Sequence, residues 1–382
     1  MVKGMRIIIG ADIVPTSSNF DLFAAGDVNA LIGERLAEML GGADYRIFNL
    51  EVPLTDRENP IAKNGPKLIA PTKTVKGIKN IGADLVTVAN NHIMDQGSEG
   101  LSSTLKILGE NRIGYVGAGD NAEQASKPYI FDINDKKIGV YACVEHEFSV
   151  ATESRCGANP IDPLFSYDHV SDMKKDCDYV IVLYHGGKEH YRYPSPELQR
   201  YCRRFIDKGA DLVVCQHSHC IGCEEKYGGG TIVYGQGNFL FDDSDSKFWQ
   251  TGLLIEIDER YEVNYIPLEK CGSRVRLAEK ELAEEILAKF AKRSKEIETD
   301  GAVESKYREF AESMYSNYVN LLFADNTVFR ALNKLLGHRL TKNIPERKRL
   351  RLINYIECES NRELLLKGLK THKAKEGGTE ND

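Results

Sequence analysis

The 382-residue chain lacks the features that define several large classes of protein. It contains no uninterrupted apolar stretch of about 18 residues, so we expect no membrane-spanning helix. Met1 to Met5 lead directly into a short strand-like run, which is not the pattern of a signal peptide. The nine cysteines are odd in number and scattered, which favours reduced thiols over a disulfide framework. Together these absences favour a cytoplasmic location.

An excess of basic residues is also absent. The chain has 50 lysines and arginines against 57 aspartates and glutamates, a net charge of −7. We therefore expect no nucleic-acid partner, because no general basic excess is present to displace phosphate counterions. An anionic substrate would need local cations or a metal. Cys220 and Cys223 form a CxxC, but the second pair that a zinc ribbon needs is missing, so we interpret them as incidental thiols in a loop.

Short apolar runs alternate with segments of helical periodicity up to residue 271. The runs that predict strands are 6–10, 45–50, 84–89, 179–184, 211–215 and 231–234, with hairpins at 129–144 and 252–266. The segments that predict helices include 30–40, 74–81, 98–111, 166–176 and 196–208. This alternation predicts an α/β fold built in layers.

The composition changes after residue 271. Residues 277–297 are rich in Ala, Glu, Lys and Leu, and the rest to about Leu369 predicts further helices. Residues 272–382 therefore predict a helical C-terminal extension that ends in a disordered tail after Thr371. We expect this extension to serve packing or homo-oligomerisation. Its basic stretch, residues 342–351, is interpreted as a solvated helix face, with contact to an anionic surface as the alternative.

Polar residues follow the predicted strands at the points where they end. In open α/β sheets, sites form outside the carboxyl ends of the strands. That rule brings together six residues: Asp12, Glu51, Asn91, His92, His185 and His217. Each of them alone is better explained as a cap or a satisfied polar contact, but jointly they favour a site for one or two divalent ions. Carboxylate, amide and imidazole ligands suit Mn, Fe, Zn or Co.

His217-Ser218-His219 directly follows a predicted strand. In extended geometry residues i and i+2 point the same way, so both imidazoles are expected to address one point. An HxH by itself is weak evidence, and this pair gains its meaning from the other strand-end residues.

Six segments resemble the CapA family of capsule-synthesis (poly-γ-glutamate) proteins, which share the calcineurin-like metallophosphoesterase fold. They occur in the family's order between residues 6 and 266. The segments are Gly10-Ala11-Asp12-Ile13, Asn49-Leu50-Glu51-Val52-Pro53-Leu54-Thr55, Ala89-Asn90-Asn91-His92, His185-Gly186-Gly187-Lys188-Glu189, His217-Ser218-His219 and Tyr234-Gly235-Gln236-Gly237-Asn238-Phe239. The resemblance implies a layered α/β/β/α sandwich over residues 1–271, with 272–382 outside it.

The resemblance also implies roles for these residues. Asp12 and His219 would bind a first metal, Asn91, His185 and His217 a second, and Glu51 would stand at the bridging position. His92 would protonate the leaving oxygen. Glu189 would orient His185 or bind a substrate amine, and Asn238 would hold a backbone turn or reach the site. Independently of the family, Lys63, Lys67 and Lys73 in the loop before the third strand are candidates for binding an anionic substrate, although a solvated surface is the favoured interpretation.

The chain departs from the family pattern at several positions. Ile13 and Val14 follow Asp12 where the superfamily has a histidine two residues after its aspartate, so the first metal would have one ligand fewer. Gly186, Cys215-Gln216 and Ser218 also differ from the usual residues. We expect a metal-dependent hydrolase of phosphoester type that serves capsule or cell-surface polymer biosynthesis, with an anionic polymer or a phosphorylated small molecule as substrate. An amide-bond enzyme acting on γ-glutamyl chains and a non-catalytic assembly component are the alternatives.

Overall fold

Two β-sheets organise the first part of the chain. The structure, a computed structural model, describes residues 5–242, 244–323, 327–337 and 345–371. The strands are β1 Ile7–Val14, β2 Tyr45–Leu50, β3 Leu85–Thr87, β4 Gly114–Val116, β5 Ala118–Gly119, β6 Tyr129–Ile133, β7 Lys136–Val144, β8 Gly157–Ala158, β9 Tyr179–His185, β10 Leu212–Gln216, β11 Glu224–Tyr227, β12 Gly230–Tyr234, β13 Asn238–Phe241, β14 Thr251–Ile257, β15 Val263–Cys271 and β16 Arg274–Leu277.

Helices lie in six of the connections between consecutive strands and dominate the C-terminal part. They are α1 Phe20–Ala25, α2 Val28–Ile32, α3 Glu34–Gly41, α4 Val75–Asn80, α5 Gly97–Glu110, α6 Ala122–Ala125, α7 Ser166–Lys174, α8 Pro196–Asp207, α9 Lys280–Ile297, α10 Ala302–Phe323, α11 Thr327–Leu335, α12 Glu346–Glu357 and α13 Glu359–Thr371. Among the described residues, no helix combines the length and the apolar character needed to cross a membrane.

The two sheets pack face to face. The first has the strand order β16-β15-β14-β1-β2-β3-β4, with β13 also paired to β1, and the second has the order β11-β12-β10-β9-β7-β6. Val140, Ile181 and Val214 of the second sheet belong to the core shared with the first sheet, whereas the alternate residues Tyr141 and Val182 pack with α7 and α8. Buried side chains of α1, α3, α4 and α5 join the shared core from the other side. The predicted α/β/β/α sandwich is therefore confirmed.

The parallel strands of both sheets direct their carboxyl ends to the same region. β1, β2 and β3 run parallel in the first sheet, and β7, β9, β10 and β12 run parallel in the second. Strand β13, which the sequence pattern did not predict, runs parallel to β1 and sets Asn238 opposite Asp12. The pairing register of β1 shifts next to Asp12, so the chain bends where that carboxylate is presented.

Residues 30–40 form two helices, not the single helix that their periodicity predicted. Gly33 separates α2 from α3 and has a φ of +75°, a conformation outside the helical range. The apolar spacing continues across the break because Leu31, Ile32, Leu36 and Leu40 are all buried. Periodicity alone therefore could not reveal the break.

The chain divides into two compact units after Tyr307, not after residue 271. Residues 272–307 belong to the first unit because β16 extends the first sheet by pairing with β15, and because Phe290 of α9 packs on Tyr265 at a ring-centroid distance of 4.7 Å. The second unit, Arg308–Asp382, is helical in its described residues, as predicted. The tail expected after Thr371 lies outside the described residues.

The loop after β10 is held by a close backbone contact at Gly222. A Cβ placed on Gly222 would lie 1.6 Å from the carbonyl oxygen of Tyr234. We predict that Gly222→Ala lowers the free energy of unfolding by about 2–3 kcal/mol, because the backbone must move to relieve the overlap. Urea denaturation measures this effect. The control is Gly109→Ala in α5, where an added Cβ meets nothing within 4 Å and should stabilise by less than about 1 kcal/mol. Equal midpoints for the two variants would contradict the contact.

Candidate metal centre

Seven of the predicted site residues lie buried at the carboxyl ends of the strands. Asp12 lies in β1, Glu51 follows β2, Asn91 and His92 follow β3, His185 ends β9, and His217 and His219 follow β10. Asp12 and Glu51 are fully buried, and none of the other five exceeds 7% exposure. Because both sheets contribute, the facing strand ends enclose these side chains between them.

The first group of possible metal ligands is Asp12, Glu51 and His219. One ligand atom from each lies within 4.8 Å of the others. His219 Nδ1 is 3.6 Å from Asp12 Oδ2. The amide of Asn49 donates a hydrogen bond of 2.7 Å to Asp12 Oδ1, which leaves Oδ2 as the oxygen on the side of His219.

The second group is Glu51, His185 and His217, again with ligand atoms within 4.8 Å of one another. His185 Nε2 lies 3.4 Å from Glu51 Oε1 and 3.1 Å from Asn91 Oδ1. His217 Nδ1 lies 3.1 Å from His185 Nε2. Glu51 belongs to both groups, which is the geometry that a bridging carboxylate requires.

The two histidines of His217-Ser218-His219 do not reach the site through extended backbone. His217 has a φ of +84° and His219 a φ of +51°, the left-handed region that non-glycine residues rarely adopt. Their ring centroids are 6.0 Å apart, and each ring lies in a different donor group. The expectation that both imidazoles address one point from an extended strand is therefore wrong.

The buried carboxylates leave acceptors unused. Asp12 Oδ2 and both carboxylate oxygens of Glu51 accept no hydrogen bond within the described part of the chain. Burial of a carboxylate without a compensating partner is costly, and bound cations remove that cost. Hard oxygen and borderline imidazole donors side by side fit divalent Mn, Fe, Zn or Co. The residues present therefore fit one or two such ions.

The charges of the histidines depend on their neighbours. Burial alone would lower the pKa of His219, but the neighbouring Asp12 and Glu51 raise that pKa to about 9. Burial would likewise lower the pKa of His185, and Glu51 raises it. Burial, reinforced by the charges of His185 and His219, holds the pKa of His217 well below its usual value. His217 is thus a neutral imidazole, the form that binds metals.

The two carboxyl groups are shifted in opposite directions. Burial and the charge of Glu51 raise the pKa of Asp12. Burial would also raise the pKa of Glu51, but His185 and His219 outweigh it and hold that pKa well below its usual range. Glu51 therefore stays negative near neutral pH, as a ligand shared by two cations must.

His92 belongs to a buried chain of polar contacts. Its Nδ1 lies 2.6 Å from Asp95 Oδ2, and Lys63 Nζ donates to Asp95 Oδ1 at 2.6 Å. Lys63 Nζ also donates to the carbonyl oxygen of Asn91 at 3.3 Å. Asp95 lies three residues after His92, and this spacing was the sequence signal that could have revealed the contact between them.

Lys63, not Lys67, is the lysine that reaches the site. The Lys63 side chain is 2% exposed through its pairing with Asp95, whereas Lys67 is exposed. In the described part of the chain, no hydrogen bond or ion pair joins Lys67 to the site residues. The sequence could not show which lysine of this loop reaches the site, because that depends on which of them pairs with the buried Asp95.

Asn238 reaches the site, which was the alternative to holding a backbone turn. Its Oδ1 accepts a hydrogen bond of 2.9 Å from His219 Nδ1. Glu189 lies at the rim, where its Oε1 is 4.0 Å from His217 Nε2 and its side chain is 44% exposed. The histidine that Glu189 approaches is thus His217 and not His185, and its binding of a substrate amine stays a prediction.

Three further supporting residues were missed by sequence reasoning. Asn49 lies opposite Asp12 in the β1–β2 register and also approaches His185 Nδ1 at 3.3 Å, while Asn90 donates to Asn49 Oδ1 at 3.1 Å. Glu145 Oε1 lies 3.5 Å from His217 Nε2, the ring nitrogen opposite the one that faces His185. A carboxylate on the outer nitrogen of a metal-binding histidine fixes its tautomer and orientation. Asn49 and Asn90 stand in the segments that carried the family resemblance, next to the predicted ligands.

Comparisons with known proteins show which proteins this chain resembles. The family described as bacterial capsule synthesis protein PGA_cap matches residues 10–243. The capsule biosynthesis protein CapA of Bacillus anthracis is 32% identical over 224 residues, which cover 56% of this chain and 54% of that protein. The PGA biosynthesis protein CapA of Bacillus subtilis is 31% identical over 235 residues, which cover 59% of this chain and 62% of that protein.

The match to these relatives spans only a little over half of their length. Among solved structures, that of a phosphatase from Mycoplasma pneumoniae is similar with a TM-score of 0.46 at 15% identity, covering 71% of this chain and 96% of that chain. All six segments that carried the family resemblance lie within the matched residues 10–243.

The two donor groups predict how many ions each variant can hold. We expect two divalent ions per wild-type chain after incubation with Mn²⁺, one after His219→Ala or His217→Ala, and fewer than one after Glu51→Gln, because Glu51 serves both groups. Metal analysis of desalted protein measures the ratio. His169→Ala in α7, outside both groups, is the control and should match the wild type. Equal losses for Glu51→Gln and His219→Ala would contradict the sharing of Glu51.

The raised pKa of His219 predicts a pH dependence of metal binding. In the metal-free protein His219 keeps its proton up to about pH 9, and an incoming cation must displace that proton. Affinity at the first group should therefore rise as the pH increases, by up to about tenfold per pH unit below the pKa. Calorimetric titration with Mn²⁺ in buffers of different ionisation enthalpy measures both the affinity and the proton release. Constant affinity between about pH 6 and pH 8 would be inconsistent with a protonated His219.

Proposed function

This chain belongs to the family of bacterial capsule synthesis proteins PGA_cap, and from that premise we propose that it is a metal-dependent hydrolase of phosphoester type. Its substrate would be an anionic polymer or a phosphorylated small molecule used in building a capsule or another cell-surface polymer. The observation that carries the proposal is the pair of buried carboxylates with unused acceptors, Asp12 and Glu51, set among three histidines.

The proposed ligands divide between two ions. Asp12 and His219 would hold the first, Asn91, His185 and His217 the second, and Glu51 both. When bound, such a pair of ions supplies Lewis-acid stabilisation of phosphoryl charge and makes water a better nucleophile. The protein's part is to keep these donors in place, which Asn49 does for Asp12, Asn238 for His219, and Glu145 for His217.

His92 would supply the proton for the leaving group. Its Nδ1 is engaged by the carboxylate of Asp95, so Nε2 is the ring nitrogen left to donate. His185 and His219 lower the pKa of the Glu51 carboxyl most, and His92 contributes to the same shift. Lys63 binds the second oxygen of Asp95 and so fixes the orientation of the carboxylate that holds His92.

We predict that His92→Ala lowers kcat about 100-fold or more for a phosphodiester with an alkyl leaving group, but much less for a p-nitrophenyl ester, whose leaving group needs no proton. Asp95→Asn should produce a smaller loss of the same kind together with a changed pH profile. Metal content should stay at the wild-type value in both variants. Steady-state kinetics of the Mn²⁺-loaded protein with the two esters measure the contrast, and His169→Ala is the control. An equal loss on both esters would remove His92 from the role of general acid.

An amide-bond enzyme acting on γ-glutamyl chains is the second candidate. It is favoured by the half-exposed carboxylate of Glu189 next to His217, which is suited to bind the ammonium group of an amino-acid substrate. Comparing a phosphomonoester, a phosphodiester and a γ-glutamyl anilide under one metal condition separates the two. Turnover of the anilide alone would favour this candidate, and turnover of none of the three would favour a non-catalytic assembly component. Homo-oligomerisation through the C-terminal helices and a cytoplasmic location remain predictions.

A further inference from the structure

The basic charge of the chain is concentrated near its C-terminus. Residues 327–371 contain eleven lysines and arginines and four aspartates and glutamates, a net charge of +7, whereas the whole chain has −7 and the remainder therefore −14. Arg347, Arg349 and Arg351 of α12 are all exposed. They belong to the basic stretch 342–351, of which residues 342–344 lie outside the described residues. A concentration of one sign of charge attracts a partner of the opposite sign.

The same helices expose large apolar side chains. Leu335 at the end of α11 is 84% exposed, Ile356 of α12 is 59% exposed, and Leu364 and Leu369 of α13 are 75% and 68% exposed. Helix α12 buries none of its residues. Leu364 and Leu369 also line an apolar hollow together with Tyr355 of α12. Leucines grouped in this way on a surface mark a contact with an apolar partner.

A partner that is both anionic and apolar satisfies the two features together. We propose that α12 and α13 form a surface that binds anionic lipid bilayers, with the arginines on the headgroups and the leucines among the upper acyl chains. The contact is interfacial, because no described helix could cross a membrane. A second copy of the same surface fits less well, since two surfaces that both carry Arg347, Arg349 and Arg351 repel each other. This inference does not rest on the proposed hydrolase activity.

Binding of the full-length protein to vesicles tests the proposal. The protein should sediment with vesicles in which phosphatidylglycerol replaces part of the phosphatidylcholine, and should remain in solution with phosphatidylcholine alone. The combined variant Arg347→Glu, Arg349→Glu and Arg351→Glu should weaken binding at least about tenfold, because each cation near an anionic surface contributes substantially. Raising the salt concentration should weaken wild-type binding as the charges are screened.

Matched controls separate a local surface from general charge and apolarity. Arg57→Glu, Lys106→Glu and Arg200→Glu change the net charge by the same amount on exposed residues of the first unit, and they should leave binding within about twofold of the wild type. The apolar test is Leu364→Ala with Leu369→Ala, which should weaken binding, against the equally exposed Leu164→Ala, which should not. Because all these side chains are exposed, the variants should fold, and circular dichroism checks this.

Three outcomes would overturn the proposal. The first is equal binding to neutral and anionic vesicles, which would remove the role of the arginines. The second is equal loss in the C-terminal variants and their controls. The third is absence of vesicle binding while soluble poly-γ-glutamate, or a second copy detected by sedimentation velocity, binds and is lost in the arginine variant. That last result would assign the surface to a polymer or to self-association.

Discussion

The burial of Glu51 is the constraint around which the rest of the site is arranged. Its carboxylate has no exposed surface and accepts no hydrogen bond among the described residues, and such a charge is tolerated inside a protein only when positive charge lies close to it. His185 Nε2 lies 3.4 Å from Glu51 Oε1, and the charges of His185 and His219 both lower the pKa of the Glu51 carboxyl. In the metal-free protein, protons on these two histidines therefore occupy the electrostatic role that cations would take. The protons on His185 and His219 would therefore compete with a bound cation to balance the negative charge of Glu51.

That arrangement needs backbone strain, and the fold supplies the contacts that hold it. The positive φ values of His217 and His219 cost about 1–3 kcal/mol each for residues with a Cβ. Trp249 packs on the ring of His219 at a centroid distance of 4.6 Å, and Asn238 accepts a hydrogen bond from it. Both contacts come from the segment that includes β13 and leads into β14. The strained loop with His217 and His219 and this segment therefore support each other, and a change in either should move the two imidazoles.

Much of this could be predicted from the sequence, because buried parallel strands are continuous apolar runs and their ends are marked by polar residues. Asp12, Glu51 and His185 were found by that rule alone. The contact of Lys63 with Asp95 could not be found in the same way, since it joins residues 32 positions apart through a loop of irregular structure. Strand β13 was missed because it is only four residues long and follows a turn rich in glycine. The limit of the first unit was missed because the helical composition of α9 gives no sign that its apolar face packs on a sheet.

The two donor groups are unequal, and the difference has a definite origin. In β1, Ile13 and Val14 follow Asp12 and are buried in the core, so the strand offers no second ligand after Asp12. The first group therefore offers Asp12, Glu51 and His219. The second group offers Glu51, His185 and His217, and Asn91, whose Oδ1 lies 3.1 Å from His185 Nε2, adds an amide oxygen to it. We therefore expect the second group to bind an ion more tightly than the first, with Glu51 available to both.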